Sequence, residues 1–201
     1  MSEVQYPAGV RPLVQNDRKK PSSKKKYAPK IAAGNRGMDF EAGINETNLY
    51  YSEKGLCRIT KRPTPINVVK VDYTKGAVIT QAYFETQSTT DYNGVYKGHY
   101  IDFEAKSSHS KTSYPLANIP KQQIEHLEAV IAHGGIAFFL IHFALTDEVF
   151  LLKASFIIDF YHQKTRASIP FATIRQEGYP VKIGYRPRYD YLPVLDEVFL
   201  K

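Results

Sequence analysis

Asp91-Tyr92-Asn93-Gly94-Val95-Tyr96-Lys97-Gly98-His99-Tyr100-Ile101-Asp102-Phe103-Glu104-Ala105-Lys106 is the stretch whose reading decides the fold. From His99 to Lys106 polar and apolar residues alternate, the pattern of a half-buried strand. Successive strand side chains point to opposite faces, so Ile101, Phe103 and Ala105 are expected against a core. Asp102, Glu104 and Lys106 then share the other face. Residues 91–96 read as the preceding strand, and Lys97-Gly98 as a two-residue hairpin turn in which Gly98 tolerates a positive φ. Folding the hairpin back brings Asp91 towards the Glu104 end of its partner.

Two carboxylates and an ammonium on one face suit metal-assisted phosphodiester chemistry. The carboxylates match a hard cation such as Mg²⁺, which prefers oxygen ligands and keeps several waters. A metal there lowers the pKa of a bound water and neutralises charge on a phosphate in flight. Lys106 is placed to orient an attacking water or stabilise the transition state. Spacing alone fits a solvated polar strand face with a Glu/Lys pair better, because such spacings are common by chance, so the chemistry needs further support.

The rest of the composition narrows the classes. A chain of 201 residues is read most simply as one domain with a substantial core. No apolar run approaches the roughly 20 residues of a membrane span, and no apolar core of a secretory signal opens the chain. The single Cys57 excludes an intramolecular disulfide and fits a reducing compartment, so a cytoplasmic location is expected. In its strand-like setting Cys57 reads as a small buried residue rather than a nucleophile. The histidines (99, 109, 126, 133, 142 and 162) show no H-x-x-x-H zinc spacing on one helix. There is no Gly-rich phosphate loop and no G-x-S-x-G, which leaves kinase, dinucleotide-binding and serine-hydrolase readings without support.

The net charge of +7 is localised. Residues 1–36 carry nine Lys/Arg against Glu3 and Asp17, while the remaining residues carry eighteen basic and eighteen acidic side chains. This Pro-, Ser- and Lys-rich segment, taken as a basic arm over residues 1–34, is expected to be disordered when free. Clustered charge of this kind contacts polyanions with salt-dependent affinity. A solubilising tail is the alternative, and the sequence leaves open whether the arm touches DNA, a protein partner or both.

Helical spacing of Phe40, Ile44, Thr47 and Tyr51 predicts a helix over residues 39–54, stopped by Gly55. Glu41 and Glu46 lie on it; one could reach the metal site, but both read better as surface glutamates. Residues 56–60 and 66–73 read as strands around Lys61-Arg62-Pro63-Thr64-Pro65, whose prolines argue for a bend or projection. Residues 61–86 are read as an excursion from the core, basic through Arg58, Lys61, Arg62, Lys70 and Lys75, and either a solvated loop or a DNA-contacting projection. Residues 107–118 read as a loop. Pro120 opens a helix whose apolar face carries Gln123, Ile124, Leu127, Val130 and Ile131 and which ends at Gly134-Gly135. Gln123 is an amide beside an apolar stripe, positioned either to line the helix edge or to offer a carbonyl oxygen to the site. Residues 136–141 form a continuous apolar run, read as a central strand covered on both faces, with 148–153 as its neighbour. Residues 155–163 and 191–199 read as helices. The fold class expected is α/β, a mixed central sheet flanked by helices.

Asn35-Arg36-Gly37-Met38, Asn45-Glu46-Thr47-Asn48, Lys61-Arg62-Pro63-Thr64-Pro65, Ser88-Thr89-Thr90-Asp91-Tyr92-Asn93-Gly94, Tyr100-Ile101-Asp102-Phe103-Glu104-Ala105-Lys106 and Gln123-Ile124-Glu125-His126 occur in the order found in RecU proteins. From about residue 34 to the C-terminal end the chain resembles this family of Holliday junction resolvases, part of the PD-(D/E)xK nuclease superfamily. The resemblance implies a restriction-endonuclease-like nuclease domain over residues 35–201, with a stalk at about 61–86. It implies Asp91, Glu104 and Lys106 as catalytic residues. Thr89, Asp91, Glu104 and Gln123 become ligands of Mg²⁺, with Mn²⁺ as a substitute and one or two ions per site. Arg36, Lys61 and Arg62 become DNA-binding residues. Asp91 follows Thr90 where the superfamily's name has proline, a variant this family shares.

The implied partners are four-way junction DNA, a second copy of the chain in a homodimer, and a RecA-type recombinase and branch-migration helicase, with no membrane. The implied activity is symmetric nicking of Holliday junctions in recombination and DNA repair, leaving 5′-phosphates. The alternatives are a duplex endonuclease of the same fold, or a non-enzymatic DNA-annealing and recombinase-modulating protein.

Overall fold

The computed structural model describes residues 33–74, 76–85 and 89–201, with side chains of the first helix from Asp39 onward. Residues 1–32 of the basic arm lie outside the described residues, and its last two, Ala33 and Gly34, open the first helix.

Helix α1 (Ala33–Glu53) is followed by β1 (Arg58–Lys61), then β2 (Ile66–Asp72) and β3 (Val78–Phe84). The hairpin β4 (Tyr92–Tyr96) and β5 (His99–Ser108) comes next. A short β6 (Ser113–Pro115), a single 3₁₀ turn (Leu116–Asn118) and α2 (Lys121–Ala132) lead to β7 (Ile136–Phe143) and β8 (Glu148–Lys153). The chain finishes with α3 (Ala154–Gln163), β9 (Ser168–Pro170), α4 (Phe171–Glu177), β10 (Tyr179–Ile183), β11 (Tyr189–Asp190) and α5 (Leu192–Phe199). The main sheet is seven-stranded in the order β1-β4-β5-β7-β8-β10-β11. It is mixed, because β5 and β7 run parallel while their outer neighbours pair antiparallel.

The expected hairpin forms with Tyr92 opposite Phe103 and Tyr96 opposite His99. Both turn residues, Lys97 and Gly98, take positive φ (48° and 81°), as a two-residue turn matched to strand twist requires. Tyr92, Phe103 and Phe138 stack ring on ring at 4.8 and 4.7 Å across β4, β5 and β7. A register slip would break that stack and turn every side chain over. Gly94 lets β1 close against β4: a Cβ there would meet the Arg58 carbonyl oxygen at 2.0 Å.

Two apolar layers cover the sheet. Phe40, Ile44 and Tyr51 of α1 and Leu195 of α5 pack with Ile101, Phe103 and Phe138 on one face. Ile124 and Leu127 of α2, Ile157 of α3 and Ile174 of α4 pack with Phe139, Ile141 and Leu152 on the other. The helical spacing read for α1 and the central position of β7 both hold.

Five details depart from the sequence reading. Helix α1 begins at Ala33 rather than Asp39. Strand β5 is covered on both faces rather than half-buried, since Asp102 (0% exposed) and Glu104 (1%) are as inaccessible as Ile101 and Phe103. Helix α2 lies over the polar face and supplies partners for its charges. The segment read as a loop from residue 107 contains the end of β5, then β6, which pairs with β9. Ile131 is exposed, because α2 turns it away from the core. Strands β10 and β11, which complete the sheet, gave no reading: Pro180 interrupts one and the other has two residues.

Strands β2 and β3 pair only with each other, through register shifts around Val68 and Lys70. Nearly all their residues are exposed.

Candidate active site

The β4–β5 register sets the two carboxylates side by side. Asp91, one residue before β4, lies beside Glu104 because Tyr92 pairs with Phe103. The Asp91 backbone N–H donates to Glu104 Oε2 at 3.0 Å, and the Ala105 N–H donates to Asp91 Oδ2 at 3.2 Å. Lys106 Nζ lies 2.5 Å from Glu104 Oε1. Gln123 reaches down from α2, and its Nε2 donates to the same Oε1 at 2.8 Å. Asp91, Glu104, Lys106 and Gln123 line one cavity of about 420 Å³ with Glu41, Ser107, Asn118 and Pro120.

Burial dominates the electrostatics. It pushes the Glu104 carboxyl up to about 8, with the negative charge of Asp91 adding to the rise and the nearby Lys106 ammonium opposing it. A carboxyl so placed takes up a proton far more readily than an exposed one, and a bound cation would oppose that uptake. Gln123 Oε1 is buried and has no hydrogen-bond partner. An orphaned buried acceptor is costly, and this one belongs to an amide whose nitrogen is fixed on Glu104. Among the described residues no group of three or more His, Cys, Asp or Glu side chains converges. The donor set is therefore two carboxylates and an amide oxygen, which fits a hard cation that retains waters.

The other expected site residues lie elsewhere. Thr89 is partly buried two residues before Asp91 and does not line the cavity. Glu41 lines the cavity, against the reading of both glutamates as surface residues, and forms an ion pair with Lys61; Glu46 is exposed. Arg62 turns its guanidinium inward onto Asp102 at 2.7 Å, with its side chain 17% exposed. The side chain of Arg36 lies outside the described residues.

Asp102 was read only as part of a polar face. The structure gives it Arg62, Thr90, Tyr100 and His126 as partners. Its signal was the three-residue spacing of Gln123 and His126, which puts both on one side of α2 above β5.

Paired acidic residues with a lysine two positions on, carried by the central hairpin of a helix-flanked mixed sheet, form the pattern that nucleases of the PD-(D/E)xK class carry. Residues 35–197 match the Recombination protein U family, RecU, and the chain belongs to that family. It is 52% identical over 181 residues to a protein of Lactococcus lactis subsp. cremoris (strain MG1363), covering 87% of this chain and 85% of that one. It is 46% identical over 201 residues to a Geobacillus kaustophilus protein, covering 98% of each. Both relatives are named Holliday junction resolvase RecU. A solved Archaeoglobus fulgidus Holliday junction resolvase is a remote likeness, at 11% identity and a TM-score of 0.43 over 71% of this chain and 94% of that one.

Proposed function

We propose that this protein is a divalent-cation-dependent endonuclease that resolves four-way DNA junctions by symmetric nicking during recombination and repair. The observation that carries the reading is the single cavity holding Asp91, Glu104, Lys106 and the unpartnered Gln123 carbonyl. The names of relatives at about half identity supply the substrate.

Asp91, Glu104 and Gln123 Oε1 would hold the cation, Mg²⁺ or in its place Mn²⁺. When bound it supplies Lewis acidity to the phosphate and to the attacking water. Glu104 would serve as a ligand in its ionised form, its proton passing to solvent. Lys106, held by Glu104 at the cavity wall, keeps a positive charge where the phosphorane charge develops. In-line attack on phosphorus leaves a 5′-phosphate and a 3′-hydroxyl. The protein acts as a homodimer, whose two equivalent sites match the pseudo-twofold symmetry of a junction. A DNA-junction substrate is consistent with a cytoplasmic location. Among the described residues no helix is long and apolar enough to cross a membrane.

A mobile four-way junction and its component duplex, incubated with Mg²⁺, test this. The wild type should nick the junction symmetrically and spare the duplex. Asp91→Ala and Lys106→Ala should still shift the junction in a gel, with cleavage reduced by about 10²-fold or more. Equal cutting of the duplex would turn the reading into a general endonuclease; wild-type rates in Asp91→Ala would remove the site assignment.

A further inference from the structure

Asp102 is a fully buried carboxylate outside the cavity that holds Asp91 and Glu104. Burying a charge is expensive unless it is paired and hydrogen-bonded. Here the pairing is unusually complete. Its Oδ2 receives Arg62 Nη2 at 2.7 Å and the Tyr100 hydroxyl at 2.8 Å, and lies 3.0 Å from His126 Nε2, which also lies 3.3 Å from Arg62 Nη1. Its Oδ1 receives the Thr90 hydroxyl. An apolar residue would fill the same space without needing these partners, so the position of the partners is what the carboxylate determines.

Those partners have a pattern. Arg62 follows the last residue of β1, where the chain departs for the β2–β3 hairpin, and Thr90 stands where it returns. These are the two feet of the hairpin. They are joined to each other by Arg62 Nη1 to Thr90 Oγ1 at 3.2 Å, and the Arg62 backbone N–H donates to the Asp91 carbonyl oxygen at 2.8 Å. Asp91 itself lies just outside β4, so the sheet ladder does not by itself fix it. Its backbone is held from one side by Arg62 and from the other by Glu104. Helix α2 repeats the arrangement one turn apart, with Gln123 on Glu104 and His126 on Asp102.

We infer that Asp102 is a positioning residue of the cleavage reaction: it fastens both feet of the β2–β3 hairpin to the catalytic strand and thereby fixes Asp91 opposite Glu104. The inference rests on the proposed nuclease activity for its kinetic arm only. Without the clamp, Thr90 and Arg62 lose their common anchor and the Asp91 carboxylate loses its fixed distance from Glu104. The folded body, held by the two apolar layers, remains. Outer-sphere partners of this kind typically cost about 10–100-fold in metal affinity or activity when removed.

The test is Asp102→Asn, which keeps the size and removes the charge, together with the double variant Asp102→Asn/Arg62→Gln. The double variant also removes the guanidinium left unpaired in the single variant. Four quantities are measured: the thermal midpoint, junction affinity without metal, the single-turnover nicking rate at saturating DNA and Mg²⁺, and Mn²⁺ affinity without DNA by electron paramagnetic resonance. Asp102→Asn should lower the nicking rate and Mn²⁺ affinity by about tenfold or more while junction affinity stays near wild type. In the double variant the thermal midpoint should recover while the rate and Mn²⁺ affinity stay low. Recovery of all three together would reduce Asp102 to a stability residue and overturn the inference, as would wild-type rate and Mn²⁺ affinity in Asp102→Asn. If the wild type failed to nick junctions at all, the proposed function would fall, and the Mn²⁺ titration would still decide the role of Asp102.

Discussion

Strand β5 and the β2–β3 hairpin are both rich in β-branched and aromatic residues, yet they end in opposite environments. In β5 four consecutive residues, Ile101 to Glu104, are shut off from solvent. In the hairpin Ile66, Val68, Val69, Val78, Ile79, Tyr83 and Phe84 are all exposed. Propensity puts a residue in a strand; neighbours decide whether it is buried. β5 has strands on both edges and helices over both faces, whereas each hairpin strand has only the other. A lone two-stranded hairpin is marginal in water, and this one is anchored at Arg62 and Thr90. The chemistry divides the same way. In the covered strand charges act strongly on one another, which is why Asp102 and Glu104 each need dedicated partners.

The comparison implies that stability resides in the sheet and not in the hairpin. Phe103→Ala, which removes the middle ring of the Tyr92–Phe103–Phe138 stack, should cost about 3–5 kcal/mol. Chemical denaturation with intact cooperativity measures it. A loss of under about 1 kcal/mol would mean that the stack is not central to the fold.

How much of this was legible follows from the same contrast. The hairpin turn, the pairing of Asp91 with Glu104, and the central β7 were readable because local pattern and tertiary environment agree there. Gln123 was noticed because an amide beside an apolar stripe breaks the pattern. The burial of Asp102 was not readable: alternation identifies two faces but does not say that α2 covers the second. The inward turn of Arg62 was hidden for a related reason, since a basic residue next to prolines looks like surface until its buried partner is known. Glu41 shares its helix with Glu46, and only the packing of α1 against β1 and β4 distinguishes the two. Strand β10 escaped because Pro180 argues against a strand that in fact carries it.

The covered site should also respond to pH in a way no exposed strand would. Burial raises the Glu104 carboxyl from its usual 4.5 to about 8. Between those values the folded protein holds a proton that the unfolded chain releases, so metal-free stability should fall as pH rises from about 4.5 to about 8 and then level off. Glu104→Gln carries no such proton and should lose most of this slope. At pH 8 its metal-free thermal midpoint should stand above the wild type's, by about 2–4 °C for each kcal/mol of relief. Mg²⁺ should raise the wild-type midpoint at pH 8 and leave that of Glu104→Gln nearly unchanged. Parallel slopes in the two proteins would show that Glu104 is ionised throughout.

The smallest effect makes the sharpest comparison, because it uses one residue type in two strands. Val149 in β8 is 2% exposed and Val68 in β2 is 43% exposed. Thr has nearly the shape of Val and adds a hydroxyl. In β8 that hydroxyl enters an apolar layer, opposite Val181 of β10, so Val149→Thr should cost about 1–3 kcal/mol. In the hairpin the hydroxyl meets water and β-propensity is retained, so Val68→Thr should change stability by less than about 0.5 kcal/mol. Equal losses at the two positions would mean that in solution the hairpin is covered as thoroughly as the sheet, by DNA-independent contact with another chain. The exposed valines and isoleucines of β2 and β3, with Tyr83 and Phe84, would then belong to an interface, and the division drawn between the two regions would be one of assembly and not of fold.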